Sequence, residues 1–191
     1  MCGYDQTFAY LRCEATYSGC VITSDAPSTV HLTLGGSSSV TNCAKIGGPI
    51  SLSFEGSQPM SLGSANASTG FLSLTNEADI TLLPGFGWGG NSLSVTDGST
   101  LTIAGSTTFP RELALAVSDR VASQGVAAKS SSLVLNANLT VDTLTVNGVV
   151  MSGGRTYGSS SSAAAVKDDM HFAGTGVLRV RHPCGMRVEI R

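Results

Sequence analysis

The sequence predicts an all-β protein, a right-handed parallel β-helix (β-solenoid) of about six coils. Three observations carry that expectation. A short apolar–small–apolar phrase returns every 20 residues or so. Residue types suited to sharp corners follow it. The composition divides into apolar core formers and small polar residues, with few charges between them.

The first phrase opens at Leu32-Thr33-Leu34 and returns as Leu52-Ser53-Phe54, Leu72-Ser73-Leu74, Leu93-Ser94-Val95, Leu113-Ala114-Leu115 and Leu133-Val134-Leu135. The steps between first members are 20, 20, 21, 20 and 20 residues. Each phrase alternates as a strand with one buried face does. A second phrase follows at Met60-Ser61-Leu62, Ile80-Thr81-Leu82 and Leu101-Thr102-Ile103, with weaker members at Val40, Val121 and Val141. A third apolar position recurs at Ile46, Phe86, Val126 and Val146. Between the first and second strands stand Gly36, Gly56, Asn76, Asp97-Gly98 and Asn136, residues that tolerate a positive φ.

A unit of this size cannot bury its own apolar face, but stacked units can, at a spacing of about 4.8 Å. Inward Leu, Val, Ile and Phe then form ladders. Outward rows such as Thr33, Ser53, Ser73 and Ser94, or Thr41, Ser61, Thr81 and Thr102, face solvent. The right hand follows from the strong preference of parallel crossovers. The competing architecture is an antiparallel β-sandwich, which also places turns every 8 to 12 residues or so but has no reason to hold a fixed phase. A local rival is a helix over residues 110–125, with Pro110 at its first position. The repeat phase of Leu113 and Leu115 favours a strand there.

Charged residues make up 13% of the 191, about half the usual share. There are 27 Ser, 19 Thr and 23 Gly, yet apolar residues reach 41%, enough to build a core. A net charge of -2 and three Lys argue against a nucleic-acid surface. No apolar run approaches the roughly 20 residues of a membrane helix. The five cysteines are Cys2, Cys13, Cys20, Cys43 and Cys184; an odd count leaves at least one outside any intrachain disulfide, and no zinc spacing accompanies them. No signal peptide is visible in residues 1–20, so Met1 is compatible with a segment of a longer protein. The organisation expected is an N-terminal cap or preceding coil over 1–20, coils over 21–150, and a Gly/Ser-rich loop with capping strands over 151–191. Within the last part, the run Ser159 to Ala165 reads as a flexible loop.

The C-terminal third carries Leu144-Thr145-Val146-Asn147-Gly148, then Gly154-Arg155-Thr156-Tyr157-Gly158, then Gly174-Thr175-Gly176-Val177-Leu178-Arg179-Val180. This order resembles the closing coils of autotransporter-associated β-strand repeat proteins, a group with pectin-lyase-like β-helices. The resemblance implies an exported passenger, stalk or spacer of a bacterial surface or extracellular protein, with a polysaccharide or another surface protein as partner. It brings no catalytic residues, and the tail Arg181-His182-Pro183-Cys184-Gly185-Met186-Arg187 departs from the family pattern.

Candidate sites are few. Glu55, Glu77 and Asp97 follow the first strand on successive repeats and could edge a cation site such as one for calcium. Trp88 and Phe86, in Pro84-Gly85-Phe86-Gly87-Trp88-Gly89-Gly90, could offer a stacking platform to a sugar, or Trp88 could fold back over the repeat edge. Asp168-Asp169 with His171 is a polar cluster of solvated type. Four arginines in the last 13 residues (Arg179, Arg181, Arg187 and Arg191) could meet an anionic partner or blunt an open end. His31, His171 and His182 form no recognisable triad spacing, and no metal site or cofactor is expected. The sequence therefore favours a non-enzymatic, secreted or cell-surface repeat domain. The alternatives are a relative of a polysaccharide lyase or glycoside hydrolase β-helix, or a carbohydrate-binding module.

Overall fold

Parallel strand pairing dominates the computed structural model, which describes residues 6–8, 21–23, 30–35, 40–42, 45–48, 50–57, 59–63 and 65–182. All five cysteines lie outside these residues. Among the described residues there is no helix; the segment after Pro110 forms the strand Ala114–Ser118.

The largest sheet has eight strands in the order Gln6–Phe8, Val30–Gly35, Ile50–Glu55, Leu72–Thr75, Ser92–Thr96, Ala114–Ser118, Thr143–Val146 and Val149–Val150. Every neighbouring pair is parallel except the last, an antiparallel hairpin. A six-stranded sheet runs from Val40–Asn42 through Pro59–Leu62, Asp79–Leu82, Thr100–Ile103 and Ser132–Leu135 to Phe172–Ala173, all parallel. Val21–Thr23, Lys45–Gly48 and Ala67–Ser68 form a third, three-stranded sheet. This is the stacked-repeat arrangement the periodicity implies; the pairing an antiparallel sandwich requires is absent from these three sheets except in the terminal hairpin.

Register explains the stacking. Leu52, Leu72, Leu93, Leu115 and Leu144 lie opposite one another in turn, as do Phe54, Leu74, Val95, Val117 and Val146. All ten are buried. In the six-stranded sheet Leu62, Leu82, Ile103 and Leu135 make a second buried ladder. The alternate positions Ser53, Ser73 and Ser94 are half-buried, and the Ser53 and Ser73 hydroxyls are 2.8 Å apart. Burying a Leu or Phe side chain is worth roughly 1.5–3 kcal/mol, so the ladders dominate the stability of each repeat.

The phase after Leu113 needs correction. Leu93 pairs with Leu115, not Leu113, and Leu115 pairs with Leu144. Leu133-Val134-Leu135 belongs to the six-stranded sheet, opposite Leu101-Thr102-Ile103. The residues between Ser118 and Ser131 form an inserted hairpin, bridged at Arg120 to Lys129 and at Ser123 to Val126. Val121 and Val126, expected as inward members, are exposed on it. An insertion of about half a period restores the 20-residue spacing by coincidence while moving the chain to another sheet.

The corners follow the same shift. Asn76 and Glu77 have φ of 50° and 65°, and Asp97 and Gly98 have 56° and 75°, with Ala78 N–H donating to Thr75 and Ser99 N–H to Thr96. Two consecutive positive φ values close a tight two-residue corner. The equivalent corner after Thr143–Val146 is Asn147-Gly148, at 49° and 79°; Asn136 does not take a positive φ. Gly36 lies outside the described residues.

The C-terminal part adds a four-stranded sheet in the order Leu139–Val141, Leu178–Val180, Thr156–Gly158 and Val166–Lys167, with Leu178–Val180 and Thr156–Gly158 antiparallel. The Gly174-Thr175-Gly176 motif fits for a steric reason: a Cβ at Gly174 would sit 2.4 Å from the Leu135 carbonyl oxygen, and one at Gly176 2.4 Å from that of Ala137. The run Ser159 to Ala165 is a loop of turns and bends that exposes Ser160, Ser161, Ala163 and Ala165 and anchors the residues between them. Ser159, Ser162 and Ala164 are buried, Ser159 Oγ donates to the Gly174 carbonyl at 2.6 Å, and Ser162 N–H donates to the Ser159 carbonyl. Small side chains let this segment pack against the sheet.

Candidate functional site

Two of the acidic corner residues, Glu77 and Asp97, are paired with basic side chains of the chain itself. Glu77 N–H donates to the Asp97 carbonyl, so these two corners stack directly. Across them lies the base of the inserted hairpin. Arg120 Nη2 is 2.7 Å from Glu77 Oε1, Lys129 Nζ is 2.9 Å from Glu77 Oε2, and Arg120 Nε is 3.8 Å from Asp97 Oδ1. Hydrogen bonds from Lys129 and then Arg120 hold the Glu77 carboxyl below its ordinary value. Glu55 ends its own strand opposite Thr75 and does not join this network. Two cationic side chains thus stand where a calcium ion would be held. Among the described residues no group of three or more His, Cys, Asp or Glu is placed to hold a metal. Lys129 lies 52 positions from Glu77 in the chain, so no local pattern could have revealed the pairing.

The aromatic pair turns inward. Phe86 is 1% exposed and Trp88 2%. Their rings stack at 6.5 Å with 6° between planes, and Phe109 tilts against Phe86 at 6.1 Å. Parallel bridges through Ala65, Gly87 and Thr108 continue the stacking across this segment. Trp88 Nε1 donates to the Gly70 carbonyl at 2.9 Å, satisfying the one polar atom of the indole. In this position neither ring presents a face to a sugar. The glycines flanking Trp88 serve close approach: a Cβ at Gly90 would lie 1.7 Å from the Gly70 carbonyl oxygen and 2.7 Å from Trp88 Nε1.

The His171 cluster is the best-formed polar site, and it is not solvated. His171 is 6% exposed. Its Nδ1 lies 2.7 Å from Asp168 Oδ2 and its Nε2 3.2 Å from Asp119 Oδ2. Asp119 also accepts from Asn147 Nδ2 at 2.9 Å and from Ser131 N–H at 2.8 Å. Asn147 Oδ1 in turn accepts from Asp119 N–H. A neutral imidazole could donate to only one carboxylate; the imidazolium donates to both. Burial opposes that charge, but the hydrogen bonds and charges of Asp168 and Asp119 outweigh it and raise the His171 pKa. Burial likewise pushes Asp119 up, while hydrogen bonds from Asn147, Ser131 and His171 together hold it below its ordinary value. The cluster joins the end of the Ala114–Ser118 strand, the Asn147 corner and the approach to the Phe172–Ala173 strand. Asp168 and His171 are readable as neighbours in the sequence; Asp119, 52 positions away, is not.

No family model, curated protein or solved structure matches this chain.

His31 lies in the strand Val30–Gly35, and His182 borders a groove over the C-terminal four-stranded sheet. The sequence carries two Asn-x-Ser/Thr triplets, at Asn66 and Asn138, and both side chains are engaged: Asn66 Nδ2 donates to the Gly87 carbonyl, and Asn138 Oδ1 accepts from Val177 N–H. No helix of the described residues is long and apolar enough to cross a membrane.

Proposed function

We propose that this chain is a segment of a right-handed parallel β-solenoid that serves as a non-enzymatic spacer, stalk or adhesive passenger of a bacterial surface or extracellular protein. The observation that carries the reading is the unbroken register of the eight-stranded sheet, in which consecutive strands from Gln6–Phe8 to Thr143–Val146 pair in parallel. Backbone hydrogen bonds and apolar ladders that run from repeat to repeat resist bending, which is what a spacer requires. The resemblance of the closing phrases to autotransporter-associated repeats supports export. The corner carboxylates support a structural role too, since Glu77 and Asp97 face Arg120 and Lys129 rather than an open cleft.

The test is surface labelling of intact producing cells with antibody to this chain, alongside small-angle scattering of the purified protein. Labelling sensitive to external protease, with a rod-like scattering profile, supports the reading. A chain shielded from antibody until lysis, or a globular scattering profile, overturns it.

A further inference from the structure

The outer face of the four-stranded sheet forms the floor of a groove of about 990 Å³, which none of Asp119, Asn147, Asp168 and His171 lines. Thr140, Arg179 and Thr156 lie opposite one another across three strands of that floor. Leu178 and Val180 are buried, so alternation turns Arg179 outward, and Arg181 follows two residues later. Two residues along a strand separate neighbouring side chains on one face by about 6.6 Å. Arg111, Glu112, Asp142, Gly154 and His182 also line the groove.

Three guanidinium groups and two carboxylates thus share one concavity, and no ion pair joins them among the described residues. Arg181 Nε is sequestered from solvent and meets no acceptor among those residues. Thr156 Oγ1 accepts from Ala165 N–H, which leaves its hydroxyl proton free to donate into the groove. Guanidinium groups present rigid forks of N–H donors matched to carboxylate or phosphate oxygens. Flanking threonines and carboxylates suit hydroxyl groups on the same ligand. Three arginines against Glu112 and Asp142 leave the lining a net charge of only about +1, which favours one oxyanion group over a polyanion.

We propose that this groove binds a hydroxyl-bearing oxyanion, a carboxylate or phosphate carried on a polyol skeleton, with Arg179 and Arg181 holding the anionic group. The assignment does not rest on the spacer reading, because it concerns only this groove and is tested on the purified chain.

The experiment is NMR titration of ¹⁵N-labelled protein with gluconate, glycerol 3-phosphate and sorbitol, following backbone amides and arginine Nε–H signals. Millimolar gluconate or glycerol 3-phosphate shifts the signals of Thr140, Thr156, Arg179 and Arg181, and sorbitol does not; the stronger of the two anions identifies the carboxylate or phosphate source. Arg179→Met weakens that binding about tenfold or more, in keeping with loss of a charged hydrogen-bond donor, while the unfolding midpoint stays unchanged because Arg179 is exposed. Asp142→Asn strengthens binding of both anions by removing a nearby negative charge. Absence of shifts with both anions, equal shifts with sorbitol, or full binding by Arg179→Met overturns the proposal.

Discussion

At the scale of single residues, close approach and hydrogen-bond satisfaction decide the outcomes. Gly90 sits against the Gly70 carbonyl and the Trp88 indole, so Gly90→Ala forces backbone apart where neither neighbour is a flexible side chain. Overpacking of this kind costs about 1–3 kcal/mol, and a denaturant unfolding series on the variant is expected to show it. Trp88 supplies its own probe: as the only tryptophan in the chain, it should emit at short wavelength and resist acrylamide quenching until the protein unfolds. Strong quenching in the native state would return the indole to solvent. His171 provides the pH dependence. Its folded pKa is raised above 6.5, so its stabilisation is complete below that pH and is lost as pH rises through the folded pKa. Asp119 is lowered from 3.8, so its contribution is complete above that value and fades as pH falls through its folded pKa. The clamp is therefore strongest between these limits. His171→Gln should lose about 1–3 kcal/mol there, and the gap to wild type should narrow at higher pH in thermal unfolding.

At the scale of strands and insertions, each repeat depends on its inward ladder far more than on its outward one. Leu72→Ala removes a fully buried side chain between Leu52 and Leu93 and is expected to cost about 2–5 kcal/mol. Ser73→Ala, one position along and half-buried, forfeits the Ser53 contact and should cost about 0.5–1.5 kcal/mol. Paired unfolding curves separate the two. The inserted hairpin is a different kind of element, held by its base. Arg120 and Lys129 exchange backbone hydrogen bonds and both reach Glu77, while Ser131 Oγ donates to the Ser118 carbonyl at 2.6 Å. Glu77→Gln is expected to raise proteolytic nicking within residues 121–128 without altering the sheets, most visibly at low salt where the wild-type pairs are strongest. Strand periodicity was legible up to Leu93 because each unit there repeats the same length. It slipped by two residues at Leu113, because Leu115 is the partner of Leu93, and it misled further on because an exposed hairpin keeps roughly the same count of residues while contributing nothing to the ladders.

For the molecule as a whole, stability is built from contacts between neighbours, so damage should stay near its site. Leu135→Ala is expected to release amide protection in Ser132–Leu135, Phe172–Ala173 and the segment Gly174–Gly176 before it is felt in Ser92–Thr96, and hydrogen exchange resolves that order. A uniform loss along the chain would contradict nearest-neighbour stacking. The sequence alone determined an all-β chain with stacked strands, its two apolar ladders up to Leu93 and Ile103, the hydroxyl rows beside them, and corners at Asn76 and Asp97-Gly98. These are local properties, written by alternation and by residues that accept positive φ. Only the tertiary structure decided that Leu133 joins the second sheet, that Trp88 faces inward, and that Glu77 meets Arg120 and Lys129. It also decided that Asp119 closes on His171 and that Arg179 and Arg181 share a groove with Glu112 and Asp142. Each of those pairs residues distant along the chain, and the distance is set by how many residues the inserted hairpin and closing strands consume. Periodicity records what every repeat has in common; the interruptions, which carry most of the charged contacts, become legible only once the chain has stacked.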